Sequence, residues 1–190
     1  MLSLPDPLPE FGDVRLRPFD DGDADMLIDM SSDPYVPLTG TLPANATRDE
    51  ALAYIRRQHG RLRTGYGYSF CIADRRSGEP WGQIGLWLAG LDQGRASAGY
   101  CIAPRSRGRG LAGHALRALT RFAWTIGEVH RVELFIEPWN AASVRTAEAA
   151  GYEREGYLRS YREIGGKRVD MLLYAAVRGR HAGTRRQAPA

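Results

Sequence analysis

Lysine is almost missing from this chain: Lys167 is the sole one, so the basic side of a formal charge of +4 rests on arginine. Such a bias tracks genome composition more often than function, and the modest basic excess permits an anionic ligand without requiring one. Cysteine is scarce as well. Cys71 and Cys101 sit in separate apolar, strand-like runs, with no C-x-x-C pair and no Cys/His cluster beside them. That leaves no metal-ligand pattern and no disulfide framework, and fits buried thiols in a reducing compartment. No apolar run reaches the roughly 18 residues of a membrane helix. The proline-rich start, residues 1–11, lacks the basic and then apolar segments of a secretory signal, so the expectation is a cytoplasmic protein. No internal repeat is visible. What remains, 43% hydrophobic and 25% charged residues over 190 positions, suits one globular domain. The expected layout is an irregular leader over residues 1–11, a single domain over 12–177, and a basic tail over 178–190 that lacks apolar periodicity and reads as disordered.

Periodicity predicts the elements of that domain. Residues 14–19 alternate apolar and polar, as a half-buried strand does. Acidic residues from Asp20 onward precede the stripe Met26, Leu27, Met30, which marks a helix. Residues 33–46, with Pro34, Pro37, Gly40 and Pro43, form a loop too long to be a mere connector. Thr47 and Glu50 make a capping box for a second helix ending near Thr64. The period then changes to two: strands at 68–73 and 83–88 pair through a turn at 74–79, and a third strand follows at 97–102. Next come a helix at 113–126, a strand at Arg131–Ile136, a helix from Asn140 or Ala141 to Ala150 closed by Gly151, and strands at 155–164 and Lys167–Val177 joined by Gly165 and Gly166. This order makes an α/β (α+β) fold: a mixed, mostly antiparallel twisted sheet of about seven strands flanked by about four helices.

One stretch stands out, Ala103-Pro104-Arg105-Ser106-Arg107-Gly108-Arg109-Gly110-Leu111-Ala112, between a strand and a helix. The first amides of a helix have no intrahelical acceptor, and the backbone dipoles leave partial positive charge there, so phosphate oxygens fit. Gly108 and Gly110 allow positive φ and close approach of a ligand. On these residues alone, the stretch is either an anion cradle or an ordinary glycine-rich loop with solvated arginines.

A strand running into Arg105-x-x-Gly108-x-Gly110 resembles the acyl-CoA pyrophosphate loop of the GNAT N-acetyltransferase superfamily, and the element order agrees. Within it, Gly99-Tyr100, Pro104, Asn140, Ser143, Glu148, Gly151-Tyr152, Glu155-Gly156 and Asp170 resemble the RimJ/RimL type, the ribosomal-protein N-terminal acetyltransferases and their relatives, over residues 13–177. The resemblance implies a GNAT fold whose sheet opens like a V between the fourth and fifth strands, those at residues 97 and 131. It implies acetyl-CoA as cosubstrate, no metal, and an amine acceptor, either a protein N-terminus or a small molecule. Amides of residues 107–111 would cradle the pyrophosphate, with Arg105, Arg107 and Arg109 available for phosphate charge. Backbone near Cys101, Ile102 and Ala103 would pair with the pantetheine arm as though it were an added strand. Asn140 and Ser143 would join the cofactor contacts, and the thioester would lie near Tyr100 and Cys101.

Acyl transfer to an amine needs a neutral amine, stabilisation of the oxyanion and a proton for the departing thiolate. A strand amide near Tyr100 answers the second need. For the third, many members place a tyrosine seven positions after the asparagine, where this chain has Ala147; the resemblance offers Ser143 instead, one helical turn beyond Asn140. Ser143 reads equally as a helix-start residue satisfying amides, and Asn140 as a cap. Several relatives carry a glutamate two residues before the Gly-Tyr pair, where this chain has Ser97. Glu133 and Glu137 share one face of their strand and, with Glu148, are read as structural. An α-amine, with a pKa of roughly 7.7–8.0 against about 10.4 for lysine, needs little help to lose its proton, which favours it as acceptor. Tyr35, Trp87 and Trp139 are candidates for the acceptor pocket, with specificity in the loop at 33–46. His59, His114 and His130 form no motif. Other readings are acetylation of an aminoglycoside or polyamine, succinyl-CoA as donor, and a non-catalytic CoA-sensing or RNA-associated module. The arginines scatter along the chain, which argues against a nucleic-acid face. A homodimer is common among the proteins this chain resembles.

Overall fold

The structure, a computed structural model, describes residues 2–179. Its elements run β1 (Glu10–Phe11), β2 (Val14–Arg17), α1 (Ala24–Ser31), α2 (Arg48–Arg63), β3 (Gly67–Asp74), β4 (Pro80–Gly90), β5 (Arg95–Ile102), α3 (Leu111–Ala123), β6 (Arg131–Ile136), α4 (Ala141–Ala149), β7 (Glu153–Ile164) and β8 (Lys167–Val177). They form an eight-stranded sheet in the order β1-β2-β3-β4-β5-β6-β8-β7. All neighbours are antiparallel except β5 and β6, which are joined by the crossover through α3. The expected sheet had about seven strands. The additional one, β1, lies in the segment read as an irregular leader, where Glu10 pairs with Arg15 and Phe11 with Val14. Two residues are too few to show a period, which is why the sequence conceals them. The expectation of a disordered tail falls, from residue 180 onward, outside the described residues. Arg178 belongs to the domain, its guanidinium donating to the carbonyls of Trp124, Ile126 and Gly127.

Both faces of the sheet are covered, because alternate residues of each strand point opposite ways. On one face Leu111, Leu116, Leu119 and Phe122 of α3 pack with Leu16, Phe70, Ile84, Leu86, Val132 and Leu134. On the other, Met26, Leu27 and Met30 of α1 and Tyr54 and Ile55 of α2 cover Cys71, Ala73 and Ala103. No helix among the described residues is long and apolar enough to cross a membrane.

The capping box of α2 forms as the sequence predicts: Thr47 Oγ1 accepts from the Glu50 amide at 3.3 Å, and Glu50 Oε2 accepts from the Thr47 amide at 2.8 Å. Thr47→Ala is expected to lower unfolding free energy by about 1 kcal/mol, the usual worth of an N-cap, read as a lower urea midpoint at unchanged slope.

The parallel junction decides where the site lies. β5 and β6 pair only at Arg95 with Arg131, Ala96 with Val132 and Ser97 with Glu133. Beyond Ser97, β5 continues through Ile102 paired only with β4, while β6 continues paired with β8. The sheet therefore opens there as a V, and residues 98–102 present an unpaired strand edge to the gap.

Candidate active site

At the open end of β5, Pro104–Ser106 makes one 3₁₀ turn, with the Ser106 amide donating to the Ala103 carbonyl at 2.8 Å. Gly108 and Gly110 follow at φ of +79° and +73°. A Cβ built on either meets nothing within 4 Å, so these glycines serve backbone conformation and open approach. Gly110 is the N-cap of α3 and brings no capping side chain. Among the described residues, none of the amides of residues 108–112 donates to any group of the chain. Five unsatisfied donors at the start of a 13-residue helix form an anion site from main chain alone.

The three arginines of this loop have different tasks. The Arg105 amide donates to Asp29 Oδ2 at 3.3 Å, with its guanidinium 4.0 Å from the same oxygen. Arg107 pairs with Asp33 at 2.7 Å and donates from Nε to the Ile102 carbonyl at 3.1 Å. Both brace the loop against the C-terminal end of α1. Arg109 lies 4.5 Å over the ring of buried Trp81 and makes no hydrogen bond among the described residues. Of the three guanidiniums expected near phosphate, Arg109 is the one without an ion pair among the described residues. Asp29, Asp33 and Trp81 escaped sequence reading because contacts between distant segments leave no periodic signature.

Across the V, Tyr100 reaches from β5 to α4, where its hydroxyl donates to the Ser143 carbonyl at 3.3 Å; burial pushes its phenol pKa up. Asn140 caps α4, its Oδ1 accepting from the Ser143 amide at 3.0 Å. Capping therefore falls to Asn140, and the half-buried Ser143 side chain faces the Tyr100 phenol. Ala147 is buried in the core, so nothing stands in for the tyrosine there. Cys101 packs on the α1 and α2 face, and burial pushes its thiol up to about 11, so it is protonated and poorly nucleophilic at neutral pH.

The acceptor candidates separate into two places. Trp87 lies over the sheet, its ring within 3.1 Å of a Cβ built at Gly85 and 2.9 Å of one built at Gly99. Glycine at both positions is what leaves room for the indole on that face of the sheet. Tyr35 and Trp139 meet edge-on at 5.0 Å on the far side of the opening. The Tyr35 loop is held by Asp33, whose Oδ1 accepts from the amides of Tyr35 and Val36 while Oδ2 takes Arg107. Leu38 reaches the β7–β8 turn, lying 3.2 Å from a Cβ built on Gly165. The loop thus spans from the anion site to the β7–β8 hairpin.

The carboxylates differ in their partners. Glu133, opposite Ser97 in the register, is held by Arg131 at 2.9 Å, and Arg131 also pairs with Glu155. Glu148 accepts from the Tyr174 hydroxyl at 3.0 Å. Glu137 is 8% exposed; its carbonyl accepts from the Asn140 amide at 2.9 Å, and its carboxylate forms no ion pair among the described residues.

With this geometry, the chain matches the family model Acetyltransferase (GNAT) domain over residues 13–153. It is 26% identical over 170 residues to the uncharacterized N-acetyltransferase p20 of Bacillus licheniformis, covering 90% of this chain and 96% of that one. Among solved structures it resembles Mycobacterium smegmatis RimJ in complex with CoA-disulfide, with a TM-score of 0.75 at 26% identity over 89% of this chain and 85% of that chain. It also shares the fold of RimL, a ribosomal L7/L12 alpha-N-protein acetyltransferase in complex with coenzyme A, with a TM-score of 0.75 at 18% identity over 90% and 97% of the two chains.

Proposed function

The chain belongs to the GNAT acetyltransferase family, and on that premise we propose that it moves the acetyl group of acetyl-CoA to a primary amine, a protein N-terminal α-amine or a small-molecule amine, by direct attack on the thioester. The observation that carries this reading is the run of unsatisfied amides at residues 108–112 beside the unpaired edge of β5. A pyrophosphate needs the first, and a pantetheine arm with its two amide groups needs the second. Acetyl-CoA, when bound, supplies the activated acyl group; everything else falls to the protein.

In this reading the amides of residues 108–112 and Arg109 hold the phosphates, and the free edge from Ala98 to Ile102 aligns the arm. A β5 amide near Tyr100 faces the carbonyl oxygen as it gains charge. Asn140 fixes the first turn of α4, and the Ser143 hydroxyl donates a hydrogen bond to the departing sulfur, which takes up, by way of water, the proton that the attacking amine releases. The amine loses its proton to water, as an α-amine does readily near neutral pH. The description of RimL as an alpha-N-protein acetyltransferase supports an α-amine here. We place the enzyme in the cytoplasm, with acetyl-CoA and the amine acceptor as its partners.

The test is an acceptor screen with acetyl-CoA and succinyl-CoA against peptides with free N-termini, spermidine and an aminoglycoside, read by thiol release and product mass. Acetylation of a free α-amine, dependent on enzyme, is the expected result. Binding of acetyl-CoA with no turnover on any amine would instead identify a CoA-sensing module. Ser143→Ala is expected to lower kcat about tenfold, the worth of one hydrogen bond to a developing thiolate, at unchanged acetyl-CoA affinity. An unchanged kcat would leave Ser143 as a helix residue and nothing more.

A further inference from the structure

On the face of the sheet away from α3, the two walls of the V carry aromatic surface. Alternation turns Trp87, Gly99 and Phe135 to that side, and all three are half-buried, whereas Leu86, Ala98 and Leu134 of the α3 face are buried in the core. The Trp87 indole makes one wall, lying against Gly85 and Gly99. Phe135, stacked at 4.9 Å on the exposed Tyr161, makes the other. Over the indole stands Arg61 from the last turn of α2, its guanidinium carbon 5.9 Å from the ring centroid. One of its N–H groups, on Nη1, donates to Ser69 Oγ at 3.2 Å; the other four have no acceptor among the described residues, and no carboxylate pairs with them. This sets Arg61 apart. The other half-buried arginines of the described residues are answered: Arg15 by Glu10, Arg17 by Asp23, Arg131 by Glu133, and Arg178 by the carbonyls of Trp124, Ile126 and Gly127.

We propose that Arg61, seated on the Trp87 indole, is a carboxylate subsite of the acceptor cleft, so that the preferred acceptor carries a carboxylate close to its amine and polyamines are disfavoured. This rests on the acetyltransferase reading of the cleft. A guanidinium partly withdrawn from water, with a free fork of N–H donors, matches a carboxylate in bidentate fashion, and stacking on an aromatic face holds its plane for that purpose. A cation at the end of α2 also complements the helix dipole, but the exposed Arg63 does so from water. Placement agrees with the chemistry. The contacts from Arg61 to the indole and from the indole to Gly99 put the guanidinium on the order of 10 Å or less from the free edge of β5, a span that about three extended residues cross. With its amine at that edge, a peptide brings the acidic side chain of its second or third residue to Arg61 while its main chain runs between Trp87 and Phe135. A protonated polyamine brings only like charge to the guanidinium, which repels it.

The experiment uses the full chain, acetyl-CoA and matched acceptors: C-terminally amidated peptides of one length with N-terminal alanine followed by glutamate, glutamine or arginine, together with free alanine and alaninamide. In the wild type, kcat/KM for the glutamate peptide is expected to exceed that for the glutamine peptide at least about tenfold, through KM, with the arginine peptide lowest. Arg61→Met is expected to bring the glutamate and glutamine peptides within about twofold of each other, Arg61→Lys to keep part of the preference, and Arg61→Glu to put the arginine peptide first. A preference for free alanine over alaninamide that Arg61→Met abolishes also supports the subsite, and assigns the carboxylate to a free amino acid instead of a side chain. Equal kcat/KM within both pairs in the wild type, a comparison that needs no variant to fold, overturns the proposal while transfer itself stands. So does a preference that survives Arg61→Met. If the wild type transfers to no amine, titration calorimetry without acetyl-CoA separates the two readings. Binding of the glutamate peptide that weakens at least about tenfold in Arg61→Met keeps the carboxylate subsite and overturns the amine acetyltransferase. No binding, or binding untouched by the substitution, overturns both.

Discussion

Gly110→Val is expected to weaken acetyl-CoA binding roughly a hundredfold, measured by isothermal titration calorimetry, with loss of only about 1–2 kcal/mol of folding stability. Gly110 sits at φ +73°, a conformation that a β-branched residue adopts only with strain, and it opens α3 with its own amide unsatisfied. A valine either swings the chain out of the left-handed region, turning the amides of residues 108–112 away from their common focus, or keeps the turn and raises its methyl groups where a phosphate approaches. The fold is spared because a Cβ at this position meets nothing within 4 Å. Gly110→Ala, without branching, is expected to lose less. Binding within threefold of wild type in the valine variant would place the phosphate cradle elsewhere.

Asp23→Ala is expected to destabilise the domain by about 3–5 kcal/mol, the cost of leaving one member of a buried ion pair alone. Asp23 is 1% exposed and takes both ends of the Arg17 guanidinium, at 2.7 and 2.9 Å, while its Oδ2 also accepts from the Asp20 amide at 3.0 Å. Arg17 donates further to the Gly78 carbonyl at 3.0 Å, joining β2 to the β3–β4 turn. The Asp23 carboxylate holds the Arg17 guanidinium well above its ordinary pKa, and arginine keeps its charge at any working pH even when that carboxylate is gone. For a domain of this size the melting temperature should fall by roughly 6–20 °C. Arg17→Met combined with Asp23→Ala should restore part of that, since it removes the orphaned charge. A loss below about 1 kcal/mol in urea unfolding would mean that water reaches the pair and screens it. The effect bears on the site as well, because the pair anchors the start of α1, whose far end supplies the Asp29 brace to the anion loop.

How much of this was legible in the sequence follows from the range over which each interaction acts. The elements came from local rules. The Leu111, Ala115, Leu119, Phe122 stripe makes α3 at a period of 3.6, the Thr47 and Glu50 box starts α2, and β6 and β8 have the bounds that alternation predicts. The anion loop was legible for the same reason: positive φ at Gly108 and Gly110 and unsatisfied amides are properties of a strand-to-helix turn whatever surrounds it. Strand β1 was not, being two residues held by pairing alone.

The tertiary structure decided what depends on distant partners. It made Asn140 the cap and turned the Ser143 side chain to the Tyr100 phenol, a choice between two residues three apart that only α4's geometry could settle. It braced Arg105 and Arg107 on Asp29 and Asp33 and laid Arg109 on Trp81, although the three arginines look alike in the chain. It also separated Glu133, paired with Arg131, from Glu137, which forms no ion pair among the described residues, two glutamates that alternation places on the same face. The sequence by itself determined the fold and the loop suited to a phosphate-bearing cosubstrate, because backbone conformation and periodic burial are set by neighbours along the chain. Which side chains are paired and which are left free was decided only when remote segments met, because charge and hydrogen bonding are satisfied across space.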